Sequence, residues 1–237
     1  MNKFIGVTIG DIDGIGIEIL LKLYKQKKID NFILFSNKMI LKKYLAKNKI
    51  NLKINVINKK NETKIRFIPG SLNIYEYYSK NKIVNTYKSL EISYKITKKL
   101  KLLGIITLPL NKEKIIKNVN KKFRGQTEYF EKIDKVKFTN MLFICKKIII
   151  STLTTHIKLK NVVKKISKKD FIYNKLLLLN HTLKKDFNIE KPNFAISGIN
   201  PHASENSHIG NEEKLILKPA LKKLKKNMLI DGPFSAD

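Results

Sequence analysis

The sequence predicts an α/β protein with a three-layer α/β/α arrangement and a mixed central sheet, divided into two lobes. Two observations support this fold class. Short apolar runs typical of buried strands alternate along the 237 residues with longer segments of helical spacing. A hydrophobic content of 43% is also sufficient, at this length, to bury a substantial core.

The first predicted element is a strand, turn and helix at the N-terminus. Residues 3–9 are rich in β-formers, residues 10–16 carry three glycines, and helical spacing follows over 17–24. A break at Pro109 predicts an N-terminal lobe, 1–110, and a central lobe, 111–237. The further strands are predicted at 31–36, 53–57, 64–69, 103–108, 140–145, 147–152 and 193–199, and the further helices at 38–48, 86–102, 111–119, 161–187 and 210–227.

The formal net charge is +30, from 49 Lys and Arg against 19 Asp and Glu. Such a charge attracts phosphate groups, including those of nucleic acids. However, Arg66 and Arg124 are the only arginines, and the lysines are spread along the whole chain among Asn and Ile. This pattern favours a codon bias over a nucleic-acid surface, because phosphate and base recognition usually recruits arginine. A phosphorylated small molecule remains a suitable partner.

The apolar runs, the N-terminal sequence and the cysteine content bear on localisation and redox chemistry. No apolar run approaches the ~20 residues of a membrane span, and the N-terminus lacks the order of a secretory signal. These observations predict a cytoplasmic protein without a membrane partner. Cys145 is the single cysteine and lies in an apolar stretch, so we expect a small buried core residue and no cysteine metal cluster.

The glycine-bearing turn at 10–16 is the first candidate for a ligand site. Glycines between a strand and a helix allow close approach of the backbone to an anion. The spacing is not G-x-G-x-x-G, so it does not support a Rossmann-type nicotinamide site. A structural tight turn is the interpretation that the residues alone favour.

Two of the four histidines follow predicted strands. His156 comes after 148–152, and His202 comes after 194–199. If these strands are neighbours in a sheet, the two imidazoles can converge on one metal ion, although two ligands seldom complete a site. His181 lies within a helical run, where a structural role is the simpler interpretation.

Six sequence motifs occur in the order found in one enzyme family. The segments are 8–18 (TIGDIDGIGIE), 105–113 (IITLPLNKE), 125–130 (GQTEYF), 154–157 (TTHI), 198–203 (GINPHA) and 231–237 (DGPFSAD). They are similar, in this order, to T-x-G-D-P-A-G-I-G-P-E, V-T-G-P-I-N-K-E, G-H-T-E-F-F, T-T-H-x-P-L, G-L-N-P-H-A and G-P-x-P-A-D. As an ordered set these motifs are specific, and the chain therefore resembles the 4-hydroxythreonine-4-phosphate dehydrogenase family.

The resemblance implies an isocitrate/isopropylmalate dehydrogenase-like fold with the active cleft between the lobes. It implies NAD-dependent oxidation and decarboxylation of 4-phosphooxy-L-threonine to 3-amino-2-oxopropyl phosphate in pyridoxine 5'-phosphate biosynthesis. A divalent metal (Zn, Mg or Co) would polarise the substrate hydroxyl. By resemblance, His156 and His202 are metal ligands, used in a site that the two subunits of a homodimer share.

The resemblance also assigns substrate contacts. Gln126 and Thr127 occupy the substrate-binding positions of G-H-T-E, and Lys112 takes a phosphate-binding or structural role; no residue is assigned as catalytic. Gln126 replaces a histidine and cannot carry a charge. This change leaves open another phosphorylated four-carbon hydroxy acid, such as a phosphothreonate, as substrate. A non-catalytic Lys-rich nucleic-acid-binding remnant is the second alternative.

The family pattern continues beyond the position of Asp237. That continuation carries a third histidine ligand, followed by lysine, asparagine and arginine residues that grip the substrate. From the sequence as it stands, we therefore expect an incomplete metal site and impaired activity.

Overall fold

A five-stranded parallel sheet organises the first of two compact units, Met1–Asp134 and Lys135–Asp237. The computed structural model describes residues 4–60, 66–146 and 148–235, without the side chain of Asn206. The strands of the first unit are β1 (Ile5–Thr8), β2 (Phe32–Ser36), β3 (Ile54–Ile57), β4 (Leu72–Glu76) and β5 (Ile105–Thr107), in the sheet order β3-β4-β2-β1-β5. Its helices are α1 (Ile15–Lys25), α2 (Lys38–Lys47), α3 (Lys82–Leu100), α4 (Lys112–Asn118) and α5 (Gln126–Asp134).

Both faces of this sheet are covered by helices. Along β2, Leu34 faces a core that includes the apolar residues of α1 and α2. Ile33 and Phe35 face a second core with Ile96 of α3. Because successive side chains of a strand point to opposite faces, a continuous apolar strand of this kind is buried on both sides. The unit therefore has the predicted three layers, and all pairings in its sheet are parallel.

The second unit is built on two small two-stranded sheets. Its strands and α-helices are β6 (Met141–Cys145), β7 (Ile148–Thr152), α6 (Val162–Ile166), α7 (Phe171–Asp186), β8 (Asn193–Ser197), α8 (Lys218–Leu224) and β9 (Leu229–Phe234). Two 3-10 helices, Leu159–Asn161 and Pro201–Ser207, and a π-helix, Glu213–Leu217, lie between them. β6 and β7 form an antiparallel hairpin, and β8 pairs with β9 in parallel. The apolar faces of α7 and α8 pack on β8 and β9 through Leu176, Leu221, Phe194 and Ile230.

The β6–β7 hairpin exposes apolar side chains. Phe143 pairs with Ile150, and Cys145 pairs with Ile148, so these four residues share one face. All four are exposed. The prediction that Cys145 is a buried core residue is therefore wrong, because its strand lies in a two-stranded sheet with one face open.

Several boundaries differ from the sequence prediction. The first compact unit extends along the chain to Asp134, past the predicted division at 110/111, because Ile115 of α4 and Phe123 pack with Leu90 of α3. The predicted strand at 64–69 lies partly outside the described residues, and its described part, 66–69, is not a strand. The predicted helix 161–187 is divided at residues 167–170, where Asp170 has a φ of 55°.

Candidate functional site

Two loops and two helices meet at the carboxyl end of β1 and β5, the edge of a parallel sheet where ligands usually bind. The backbone N–H of Asp11 donates to the carbonyl oxygen of Pro109 at 2.8 Å. The hydroxyl of Thr86 donates to the carbonyl oxygen of Gly10 at 2.5 Å. The side-chain amide of Gln126 donates to the carbonyl oxygen of Leu108 at 3.1 Å. The structure thus brings the first three motifs together.

Glycine is required at position 10 for two reasons. Gly10 has a φ of 62°, and a Cβ there would lie 2.5 Å from the carbonyl oxygen of Pro109 and 2.8 Å from the Cβ of Leu108. At Gly16, a Cβ would lie 2.8 Å from the Cδ of Pro109. The glycines of the turn therefore make room for the loop that follows β5.

A cavity of about 370 Å³ opens beside this turn. Lys82 forms an ion pair with Asp13 at 2.7 Å, and Lys114 forms one with Asp11 at 3.2 Å. The cavity is polar on these sides and apolar at Ile115. Its lining consists of Asp11, Asp13, Asn81, Lys82, Ile83, Thr86, Asn111, Lys114 and Ile115.

Gln126 and Thr127 of the segment 125–130 face different environments. Gln126 is half-buried, and its Oε1 atom is buried without a hydrogen-bond partner among the residues that the structure describes. Thr127, by contrast, is exposed in the first turn of α5. Lys112 is exposed at the start of α4, where the Asn111 side chain caps the helix by accepting the N–H of Lys114 at 3.0 Å.

His156 and His202 both lie in the second unit. His156 is in the loop that follows β7, and His202 is in the connection that follows β8, where Pro201–Ser207 form a 3-10 helix. Both are exposed and have left-handed backbones, with φ values of 54° and 49°. The two strands lie in different sheets, so the two histidines are not placed at adjacent strands of one sheet. Across the described ranges, no three His, Cys, Asp or Glu residues gather into a metal-binding group.

The loop that carries His202 is tied to a buried carboxylate that the sequence prediction missed. Glu213 is 1% exposed and accepts hydrogen bonds from the backbone N–H groups of Ile199 and Asn200, both at 2.7 Å. Burial would raise the pKa of Glu213, but these hydrogen bonds and that from the Asn200 amide hold it below its ordinary value. The adjacent pair Glu212–Glu213 after the G-I-N-P-H segment was the available signal.

The fold and these contacts define a class: α/β proteins whose candidate ligand site lies at the carboxyl ends of parallel strands. A solved structure of a putative 4-hydroxythreonine-4-phosphate dehydrogenase from Salmonella typhimurium superposes with a TM-score of 0.84 at 23% identity, covering 99% of this chain and 75% of that one. The chain belongs to the family described as Pyridoxal phosphate biosynthetic protein PdxA, whose model matches residues 28–237. The family resemblance and the α/β fold class predicted from the sequence are confirmed.

Curated relatives agree with this assignment. The 4-hydroxythreonine-4-phosphate dehydrogenase of Sulfurihydrogenibium sp. (strain YO3AOP1) is 34% identical over 98% of this chain and 74% of its own length. The enzyme of the same name from Aquifex aeolicus (strain VF5) is 31% identical over 100% of this chain and 75% of its own. No helix in the described parts of the chain is long and apolar enough to cross a membrane.

Proposed function

We propose that this chain catalyses the NAD-dependent oxidation and decarboxylation of 4-phosphooxy-L-threonine to 3-amino-2-oxopropyl phosphate, a step of pyridoxine 5'-phosphate biosynthesis. The observation that carries the proposal is the family match over residues 28–237, together with the meeting of three motifs at one sheet edge. NAD accepts the hydride, and the protein positions the substrate and excludes water.

The exposed start of α5 is suited to the phosphate of the substrate. A helix N-terminus favours an anion, and Thr127 adds a hydroxyl donor in the first turn. Lys112 is exposed at the start of α4. It follows Pro109 by three residues, and the carbonyl oxygen of Pro109 accepts the backbone N–H of Asp11 in the 10–16 turn. Gln126 makes a different contact, because its amide nitrogen is engaged by the Leu108 carbonyl.

His156 and His202 fit a divalent metal by donor type, since neutral imidazole is a common ligand of zinc and related ions. The side chain of His202 is 52% exposed, so its ring is accessible to an ion. When bound, the metal would supply Lewis-acid polarisation of the substrate hydroxyl and stabilise the charge that develops as carbon dioxide leaves. Two imidazoles leave positions for substrate oxygens or for a ligand from another chain.

A homodimer would provide such a chain. The exposed apolar face of the β6–β7 hairpin, formed by Phe143, Cys145, Ile148 and Ile150, supports an interface in the same unit as the two histidines. An exposed strand edge also offers unpaired backbone groups to a second copy.

The test is an assay of the purified chain with 4-phosphooxy-L-threonine, NAD and added zinc, followed by the absorbance of NADH. We expect His156→Ala and His202→Ala to lose activity and zinc binding. His181→Ala is the matched control, because His181 is exposed on α7 in the same unit and should leave both unchanged. Equal activity of all variants would contradict the metal role, and the absence of substrate-dependent NADH in the unsubstituted protein would contradict the proposed reaction.

A further inference from the structure

The carboxylate of Glu213 bonds both sides of the loop that carries His202. One oxygen accepts the backbone N–H groups of Ile199 and Asn200, which precede the histidine. The other accepts the Asn200 side-chain amide at 3.0 Å and the hydroxyl of Ser204, which follows the histidine. A buried carboxylate is unfavourable unless it is paired in this way, so the interaction binds the loop strongly to Glu213.

The loop itself has an unfavourable backbone. His202, Ala203, Ser204 and Glu205 have consecutive φ values of 49°, 49°, 72° and 41°. Left-handed conformations are costly for residues with a Cβ, and they persist only when the surrounding structure holds them. The hydrogen bonds to Glu213 come from Ile199 and Asn200, just before this run, and from Ser204 within it, so they oppose its relaxation to ordinary conformations.

Glu213 is not suited to bind a metal directly. It is 1% exposed, and both of its oxygens are occupied by donors of the same chain. Because Glu213 bonds only to its own chain, its contribution to a metal site would be to position another residue. His202 is the exposed side chain with metal-binding chemistry inside the run that Glu213 holds.

We propose that Glu213 is the positioning residue of His202: its buried carboxylate holds the 199–205 loop in the left-handed conformation that presents the imidazole. The consequence for metal binding rests on the proposed function, whereas the consequence for the loop conformation does not. We expect removal of the Glu213 charge to increase the mobility of this loop while the rest of the unit stays folded.

The test compares Glu213→Gln with Leu221→Ala. Leu221 is buried in the core of the same unit and makes none of these hydrogen bonds. Its truncation therefore lowers stability without altering the hydrogen bonds between Glu213 and the 199–205 loop. Backbone hydrogen exchange is measured by mass spectrometry, and zinc binding is measured by calorimetry below the unfolding temperature of each variant.

We expect Glu213→Gln to raise exchange within 199–205 by about tenfold or more relative to the rest of the unit, and to weaken zinc binding by a similar factor. Exchange that rises evenly across the unit, as expected for Leu221→Ala, or that does not change in the loop, would overturn the proposal. If Glu213→Gln does not fold, Ser204→Ala decides, because it removes one donor to the same carboxylate. An unsubstituted chain that binds no zinc would instead overturn the metal role of His202, and the exchange pattern would still decide the role of Glu213.

Discussion

The side-chain amide of Gln126 donates a hydrogen bond to the main-chain carbonyl oxygen of Leu108 at 3.1 Å. Each of these residues departs from the family motif that it matches, with glutamine in place of histidine and leucine in place of glycine. The two departures are therefore in direct contact. This contact also fixes the orientation of the amide, because a carbonyl oxygen can pair only with the nitrogen end.

Substitution Gln126→Glu tests this orientation. A carboxylate cannot donate to the Leu108 carbonyl, so we expect the free energy of unfolding at neutral pH to fall by about 1–3 kcal/mol. Burial beside a carbonyl would raise the pKa of the introduced carboxyl in the folded state. Stability should therefore be regained as the pH falls through that raised pKa, because the protonated acid can donate. Urea denaturation across pH measures this, and a variant as stable as the original at neutral pH would show that the amide is not a required donor.

Thr127→Ala separates substrate binding from stability. Thr127 is exposed, so we expect the free energy of unfolding to change little. Under the proposed function, the alanine removes a hydrogen bond to the phosphate, and we expect KM for 4-phosphooxy-L-threonine to rise by about tenfold or more. Steady-state kinetics measures the effect, with Thr127→Ser as the control that keeps the hydroxyl. An unchanged KM would remove Thr127 from the substrate site.

Gly10→Ala should be strongly destabilising, by about 2–5 kcal/mol, because a left-handed backbone and a close contact with Pro109 act together. Two other glycines separate these causes. Gly70 has a φ of 72° but open space around its Cβ position, so Gly70→Ala should cost about 1–2 kcal/mol. Gly104 has open space and no positive φ, so Gly104→Ala should be close to neutral. Thermal or urea unfolding of the three variants measures the order, and equal effects would contradict the contact argument.

The link between α3 and α5 should depend on pH. Hydrogen bonds from Lys98 and Tyr94 lower the pKa of Asp134 below its ordinary value of 3.8. The folded pKa is depressed, so the stabilisation is present above the ordinary value and is lost as the pH falls through the folded pKa. We expect Asp134→Asn to be slightly less stable than the original at neutral pH and equally stable at strongly acidic pH. A difference that persists at acidic pH would assign the effect to packing instead.

The hairpin face gives a test of self-association. Phe143→Lys and Ile150→Lys place charges on the exposed apolar face, and we expect either change to weaken a homodimer by at least about tenfold. Sedimentation velocity measures the change, with Met39→Lys as control because Met39 is an exposed apolar residue on α2 of the other unit. A dimer that survives both hairpin substitutions would have its interface elsewhere.

Much of the fold follows from apolar patterning. The continuous run at 32–36 forms a strand buried on both faces, as the pattern indicates. The sequence prediction does not include β4, because this strand directly follows a glycine-containing turn at 69–71. The apolar residues at 64–69 led to a strand being predicted there instead. Phe67 in that run packs against Phe4, with ring centroids 3.5 Å apart, so its apolar character serves tertiary packing. β9 was missed because Gly232 and Pro233 disfavour a regular strand.

The candidate site was predictable in its motifs but not in its contacts. Position after a predicted strand pointed to His156, His202 and the turn at 10–16, whereas segment 125–130, which begins α5, was indicated only by the family resemblance. It could not show that Gln126 turns toward Leu108, since that depends on the packing of α5 near β5. The partners of Glu213 were equally hidden, because a charged residue in a helical pattern is normally expected on the solvent side.

The hydrogen bonds of Glu213 have an implication for how this segment can vary. Asn200 and Ser204 both donate hydrogen bonds to the carboxylate of Glu213. Replacing any one of the three therefore alters which residues are acceptable at the other two. Substitutions tolerated by natural relatives at these positions should therefore occur as matched sets. A library intended to change the chemistry at His202 would keep more folded members if it varied the three positions jointly.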